Sequence, residues 1–171
     1  MVVQPAVDVD RVLLTSRKQV VVRPAVVTDA GRIAELVDTF ARRGEMLPRS
    51  KHQICQHIAS FVVAEAAGKV VGCGVLNVIW DDLAEIRTLA VSPRWQRRGI
   101  GSRLVASLIH QARTLELPLV FALTYVPAFF EHLGFHRIDR GTLPQKIWID
   151  CINCPKYPDC DEEAVLFELG A

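Results

Sequence analysis

The chain has 171 residues, half of them hydrophobic and 23% charged, with a formal net charge of +1. A chain of that length suits one domain that buries roughly 70% of its extended surface and needs no staples. The near-zero charge argues against a general nucleic-acid binder, and no apolar run approaches the length of a membrane span.

Met1 to Asp10 lacks the charged start and apolar core of a signal peptide, so the expected compartment is the cytoplasm. Five cysteines in such a chain fit free thiols or a metal better than a disulfide framework.

Residues 1–18 are weakly patterned and are expected to form an arm or a short extra element. Gln19 to Arg23 reads as a strand that Pro24 ends. Thr28 is placed to cap a helix from Asp29, in which Ile33, Leu36, Val37 and Phe40 share one face. Arg43-Gly44 stops that helix, and Met46 to Ser50 forms a loop. A weaker helix is expected from Lys51 to Ser60.

Phe61–Ala66 and Val70–Ile79 read as a hairpin around Ala67-Gly68-Lys69. Asp81-Asp82 turns the chain into a strand from Leu83 to Val91. The turn Gln96 to Gly101 then leads into a helix that reaches Leu115, with Leu104, Val105, Leu108, Ile109 and Ala112 as its apolar face.

Pro118 to Thr124 is short enough for a buried strand. Val126 to Leu133 is a short helix closed by Gly134. Strands from Phe135 to Asp139 and from Ala164 to Leu169 flank an irregular segment with three cysteines. This order implies an α+β domain over residues 19–171, a mixed sheet covered by helices.

The chemistry concentrates at the turn. Glycines at 99 and 101 remove Cβ where a ligand could approach, and the helix that follows offers its first N–H groups and the positive end of its dipole. Such a place suits phosphate. From Arg87 to Arg113 there are six arginines and no acidic residue. A tight turn with a solvated arginine cluster would show the same glycines. The spacing is neither that of a P-loop nor that of a dinucleotide fingerprint.

The stretch Leu89-Ala90-Val91-Ser92-Pro93-Arg94-Trp95-Gln96-Arg97-Arg98-Gly99-Ile100-Gly101-Ser102-Arg103-Leu104 resembles motif A of the GNAT N-acetyltransferases, Q/R-x-x-G-x-G/A. Ala128 to Phe135 is similar to that family's Phe-Tyr-x-x-x-Gly-Phe segment beside coenzyme A. The resemblance implies a GNAT fold and acetyl-CoA as cosubstrate. It implies that backbone N–H groups from Arg97 to Ser102, through Gly99, Ile100 and Gly101, hold the pyrophosphate after Gln96. Leu89, Ala90 and Val91 would pair with the pantetheine arm as an added strand, with Phe130 beside it. Arg97 and Arg98 would add charge-assisted contacts.

Acetyl transfer needs a neutral amine, donors for a tetrahedral oxyanion, and a proton for the leaving thiolate. The resemblance puts Glu85 in the place of the base; the alternative is a surface pair with Arg87. The oxyanion donor would be the N–H near Leu89. Phe130 stands where many relatives have tyrosine and has no proton to give, so Tyr125 or Thr124 is the candidate hydroxyl, with solvent as the alternative.

Gly44 to Ser50, Leu143 to Trp148 and Asp150 to Lys156 resemble the short bacterial N-acetylglutamate synthases. That resemblance implies L-glutamate or L-glutamine as acceptor, the first step of arginine biosynthesis, and arginine as a feedback inhibitor. A dicarboxylate wants cations, and Arg49, Arg87 and Lys146, with Ser50, are the candidates, although each could be an ordinary surface group. Rival readings are a GNAT enzyme for another amine and a non-catalytic acyl-CoA sensor.

Cys151-x-x-Cys154 with Cys160 begins like a structural zinc site, but a fourth ligand would have to come from His132 or His136. Three reduced thiols are the favoured reading, with no metal. Cys55 and Cys73 read as core. The acidic run Asp159, Asp161, Glu162 and Glu163 could face the arginines in a homodimer or simply be solvated.

Overall fold

The structure is a computed structural model that describes residues 20–143 and 149–170. The expected arm, Gln19, Lys146 and Trp148 lie outside them. Among the described residues seven strands hydrogen-bond in the order β1-β2-β3-β4-β5-β7-β6. They are β1 (Val20–Pro24), β2 (Phe61–Ala66), β3 (Lys69–Trp80), β4 (Leu83–Val91), β5 (Leu119–Thr124), β6 (His136–Ile138) and β7 (Glu163–Glu168). The helices are α1 (Ala30–Ala41), α2 (Lys51–Gln56), α3 (Ile100–Thr114) and α4 (Pro127–Glu131). No helix of the described residues is long and apolar enough to cross a membrane.

The chain forms two compact units. Among the described residues the N-terminal unit holds Val20 to Leu76 together with Ile86–Gln111, and the C-terminal unit holds Asn77–Glu85 and those from Ala112 on.

In the N-terminal unit β1 and β3 both run antiparallel to β2. The β2–β3 turn places Ala67 at φ 49° and Gly68 at φ 72°. Consecutive positive φ values are the twist a two-residue hairpin needs. Helix α1 buries Ile33, Leu36, Val37 and Phe40 against Phe61, Val63, Val70 and Val75, so the expected apolar face is the observed one.

The start of α1 differs from expectation. Thr28 is exposed within a 3-10 turn, Val27–Asp29, and the helix begins at Ala30. Asp29 stands before the helix without a side-chain cap bond to it; it is buried, and its Oδ2 reaches back to accept the Val26 N–H at 2.9 Å. Arg23 fixes that carboxylate at 2.8 Å and reaches Glu65 at 2.7 Å, holding Asp29 below the ordinary carboxylate range. Helix α2 is also shorter than expected, giving way to a 3-10 turn at Ile58–Ser60. It buries Ile54 alone, too little packing to sustain further turns.

Helix α3 lies close on β3. A Cβ at Gly72 would stand 3.1 Å from Leu104 Cδ1 and 3.2 Å from the Ala90 carbonyl oxygen, and one at Gly74 would stand 2.9 Å from Leu108 Cδ1. Here glycine is required by close approach.

In the C-terminal unit the first residues of β4 pair in parallel with β5, Glu85 opposite Phe121. Strand β7 pairs antiparallel with β5 on one side and β6 on the other. Leu83, Phe121, Leu143 and Ala164 form the core. Phe130 packs edge-on against Phe129 and Phe135, each at 5.1 Å between ring centroids. Gly134, at φ 94°, closes α4 as expected.

Candidate active site

The turn after β4 is open. Gln96, Arg97, Arg98 and Gly99 are exposed, while Ile100 is buried and anchors the start of α3. Gln96 folds back, its Nε2 donating to the Val91 carbonyl at 3.1 Å. Arg97 at φ 60° and Gly99 at φ 77° take the chain through left-handed backbone. A Cβ on Gly99 would meet nothing within 4 Å, so its value there is conformational freedom rather than space. The Gly99 carbonyl accepts the Arg103 N–H at 3.2 Å, and the N–H groups of Ile100, Gly101 and Ser102 belong to the first turn of a 15-residue helix. Arg98 lies over the Trp95 ring at 5.0 Å, which holds its guanidinium at the turn. Arg103, which the sequence reading passed over, has a buried Nε with no hydrogen-bond partner among the described residues.

Upstream, β4 carries a backbone anomaly that no sequence signal announced. Thr88 has φ 54°, although threonine is β-branched and the strand continues on both sides. Such a residue in left-handed backbone costs about 1–3 kcal/mol and persists only where its surroundings impose it. Three neighbours act on it here. Thr88 is buried, and its Oγ1 accepts the Nε–H of Arg49 at 2.9 Å. Its carbonyl accepts the thiol of Cys73 at 3.6 Å. The Ala90 N–H donates to that same sulfur. Complete burial pushes the Cys73 thiol up to about 12, so it stays protonated and can serve as a donor.

Of the expected acceptor-binding residues, Arg49 is thus brought onto β4. Ser50 is committed to the start of α2: its Oγ accepts the Gln53 N–H at 3.2 Å while Gln53 Oε1 accepts the Ser50 N–H at 2.8 Å. This is a capping box. Arg87 is half-buried on β4, and Lys146 lies outside the described residues. Leu89, Ala90 and Val91 continue the strand from Thr88 to the turn.

Glu85 belongs to the C-terminal unit. It is 4% exposed, a buried carboxylate rather than a surface group. Tyr125, at the end of β5, is 40% exposed. Its hydroxyl donates to Asp161 Oδ1 at 3.0 Å and accepts from Lys156, whose Nζ also lies 4.6 Å from the ring centroid. Burial raises the phenol above its ordinary range, with Lys156 acting in the opposite direction. Its proton is therefore retained and directed at Asp161. Thr124 Oγ1 accepts the Val126 N–H at 3.0 Å at the start of α4.

Cys151, Cys154 and Cys160 are in no disulfide and are partly buried, and Cys160 donates to Glu162 at 3.6 Å. Among the described residues no three His, Cys, Asp or Glu side chains come together as metal ligands.

The chain is similar to known proteins over most of its length. An uncharacterized N-acetyltransferase of Chlorobaculum tepidum is 40% identical over 148 residues, 86% of this chain and 96% of that protein. An amino-acid acetyltransferase of Mycobacterium tuberculosis is 43% identical over 131 residues, 75% of each chain. The N-acetylglutamate synthase of Neisseria gonorrhoeae, complexed with coenzyme A and N-acetyl-glutamate, superposes with a TM-score of 0.81 at 29% identity. That likeness covers 91% of this chain but only 36% of the synthase. With a family profile described as acetyltransferase (GNAT) matching residues 32–135, the chain belongs to the GNAT acetyltransferases.

Proposed function

We propose that the protein transfers the acetyl group of acetyl-CoA to the α-amine of L-glutamate, the first step of arginine biosynthesis. The observation that carries the acetyl-CoA half is the open turn from Gln96 to Gly101, leading directly into α3. Its first-turn N–H groups, Arg97 and Arg98 suit a pyrophosphate, and the buried Nε of Arg103 supplies one more donor in want of an acceptor. The edge of β4 from Leu89 to Val91 suits the pantetheine amides, with Phe130 as an apolar neighbour of the cosubstrate.

Support for glutamate comes from Arg49, whose guanidinium suits a carboxylate, and from the likeness to an amino-acid acetyltransferase and an N-acetylglutamate synthase. In this reading the amine nitrogen attacks the thioester carbonyl carbon. The C–S bond breaks, the carboxylate of Glu85 collects the amine proton, and the thiolate takes a proton from solvent or from Tyr125. The backbone N–H near Leu89 donates to the oxyanion.

The test is release of free coenzyme A thiol from acetyl-CoA with a panel of amino acids and other amines. Turnover with L-glutamate above the other acceptors is the expected result. Turnover only with amines that lack a carboxylate would overturn the glutamate assignment, and binding of coenzyme A with no turnover would favour a sensor.

A further inference from the structure

We propose that Thr88 is a positioning residue for the acceptor: held in left-handed backbone on β4, its hydroxyl orients Arg49 so that the guanidinium receives the acceptor's carboxylate. The inference rests on the amino-acid acceptor just proposed and adds a residue that acts through Arg49.

Arg49 reaches β4 from the loop between α1 and α2. Pro48 fixes the backbone before it and the Ser50 capping box fixes the backbone after it. Its long side chain has rotamer freedom that would have to be lost on binding a carboxylate. The 2.9 Å bond from Nε to Thr88 Oγ1 removes part of that freedom beforehand and sets the plane of the fork.

A threonine hydroxyl on a regular strand would stand on the face that alternation assigns it. Thr88 keeps that face, buried in step with Ile86 and Ala90, and does so in left-handed backbone at φ 54°. The strain is held in place from β3, where Cys73 donates to the Thr88 carbonyl and accepts from the Ala90 N–H. Thus a thiol, a carbonyl and a hydroxyl in series connect the strand core to the arginine, and the left-handed residue serves to present one oxygen atom.

The experiment is steady-state kinetics on Thr88→Val, Thr88→Ser and Thr88→Gly, each also combined with Arg49→Ala. Thr88→Val, which keeps the shape and loses the hydroxyl, is expected to raise the KM for the acceptor about tenfold, or ~1.4 kcal/mol. The KM for acetyl-CoA should stay within about twofold. Thr88→Ser should remain near the parent. Thr88→Gly guards against a misfolded valine variant: it relieves the strain, so it should melt no lower than the parent yet show the same acceptor defect. In the Arg49→Ala background, Thr88→Val should add less than about twofold.

An unchanged acceptor KM in both Val and Gly variants would overturn the inference. So would equal rises for both substrates, or a full tenfold added to Arg49→Ala. If the parent enzyme acetylates no carboxylate-bearing amine, the acceptor assignment itself fails and this inference falls with it. Turnover of such an amine with no Thr88 effect removes the inference alone.

Discussion

The turn from Gln96 to Gly101 and Thr88 lie on one continuous length of chain, yet the turn and the Thr88–Arg49 contact are built by opposite means. The turn is local: consecutive residues, one glycine at positive φ and the start of a helix form it wherever such a sequence follows a strand. The contact at Thr88 is tertiary, joining residues 39 positions apart through a strained backbone that a third strand holds. A local site tolerates change around it but not within it. A tertiary one can be lost from any of its corners.

The largest effect expected separates chemistry from both. Glu85→Gln should lower turnover by about 10²–10⁴-fold at neutral pH while coenzyme A binding, read by calorimetry, stays within a few-fold. Parent-like turnover would remove Glu85 as base.

Next comes the tertiary side. Arg49→Ala should raise the acceptor KM about 30-fold with little change for acetyl-CoA, a loss of about 2 kcal/mol. Equal effects on both substrates would mean that the two regions are not separable.

Gly99→Val asks the reverse question. A β-branched residue at φ 77° should cost about 1–3 kcal/mol of local stability and show as weaker acetyl-CoA binding with acceptor KM preserved. Coenzyme A affinity unaffected by that change would deny the turn its role.

The mildest is Tyr125→Phe. The phenol already donates to Asp161, so turnover should fall less than about threefold, consistent with solvent protonating the thiolate. A loss of 10²-fold would establish Tyr125 as the acid.

Much of the fold was legible because its signals are local. The apolar face of α1, the hairpin after β2, whose turn is one residue tighter than expected because Lys69 joins β3, and Gly134 closing α4 all follow from spacing and turn chemistry. The turn was legible for the same reason. The misreadings are tertiary. Thr28 is expected to cap a helix from Asp29, but Arg23 on β1 holds Asp29 in the preceding 3-10 turn and the helix starts at Ala30. Thr88 offered nothing to read, since its φ depends on what Cys73 and Arg49 do to it. The burial of Glu85 follows from parallel pairing with β5, which lies more than 30 residues ahead in the chain. The Tyr125, Lys156 and Asp161 contact likewise depends on where the cysteine segment folds.

Cys73 also gives the molecule a chemical reporter. Its raised pKa means that the unfolded chain binds fewer protons than the folded one once pH exceeds the ordinary thiol value of 9.0. Its contribution is therefore intact below pH 9 and declines toward pH 12, by up to about 1.4 kcal/mol per pH unit, a decline that Cys73→Val should abolish in melts. At neutral pH the consequence is one of stoichiometry. A thiol-specific reagent meets four partly buried cysteines and one that is fully enclosed. The fifth equivalent enters only when β3 parts from β4, so its rate of uptake counts openings of the strand pair on which Thr88 depends.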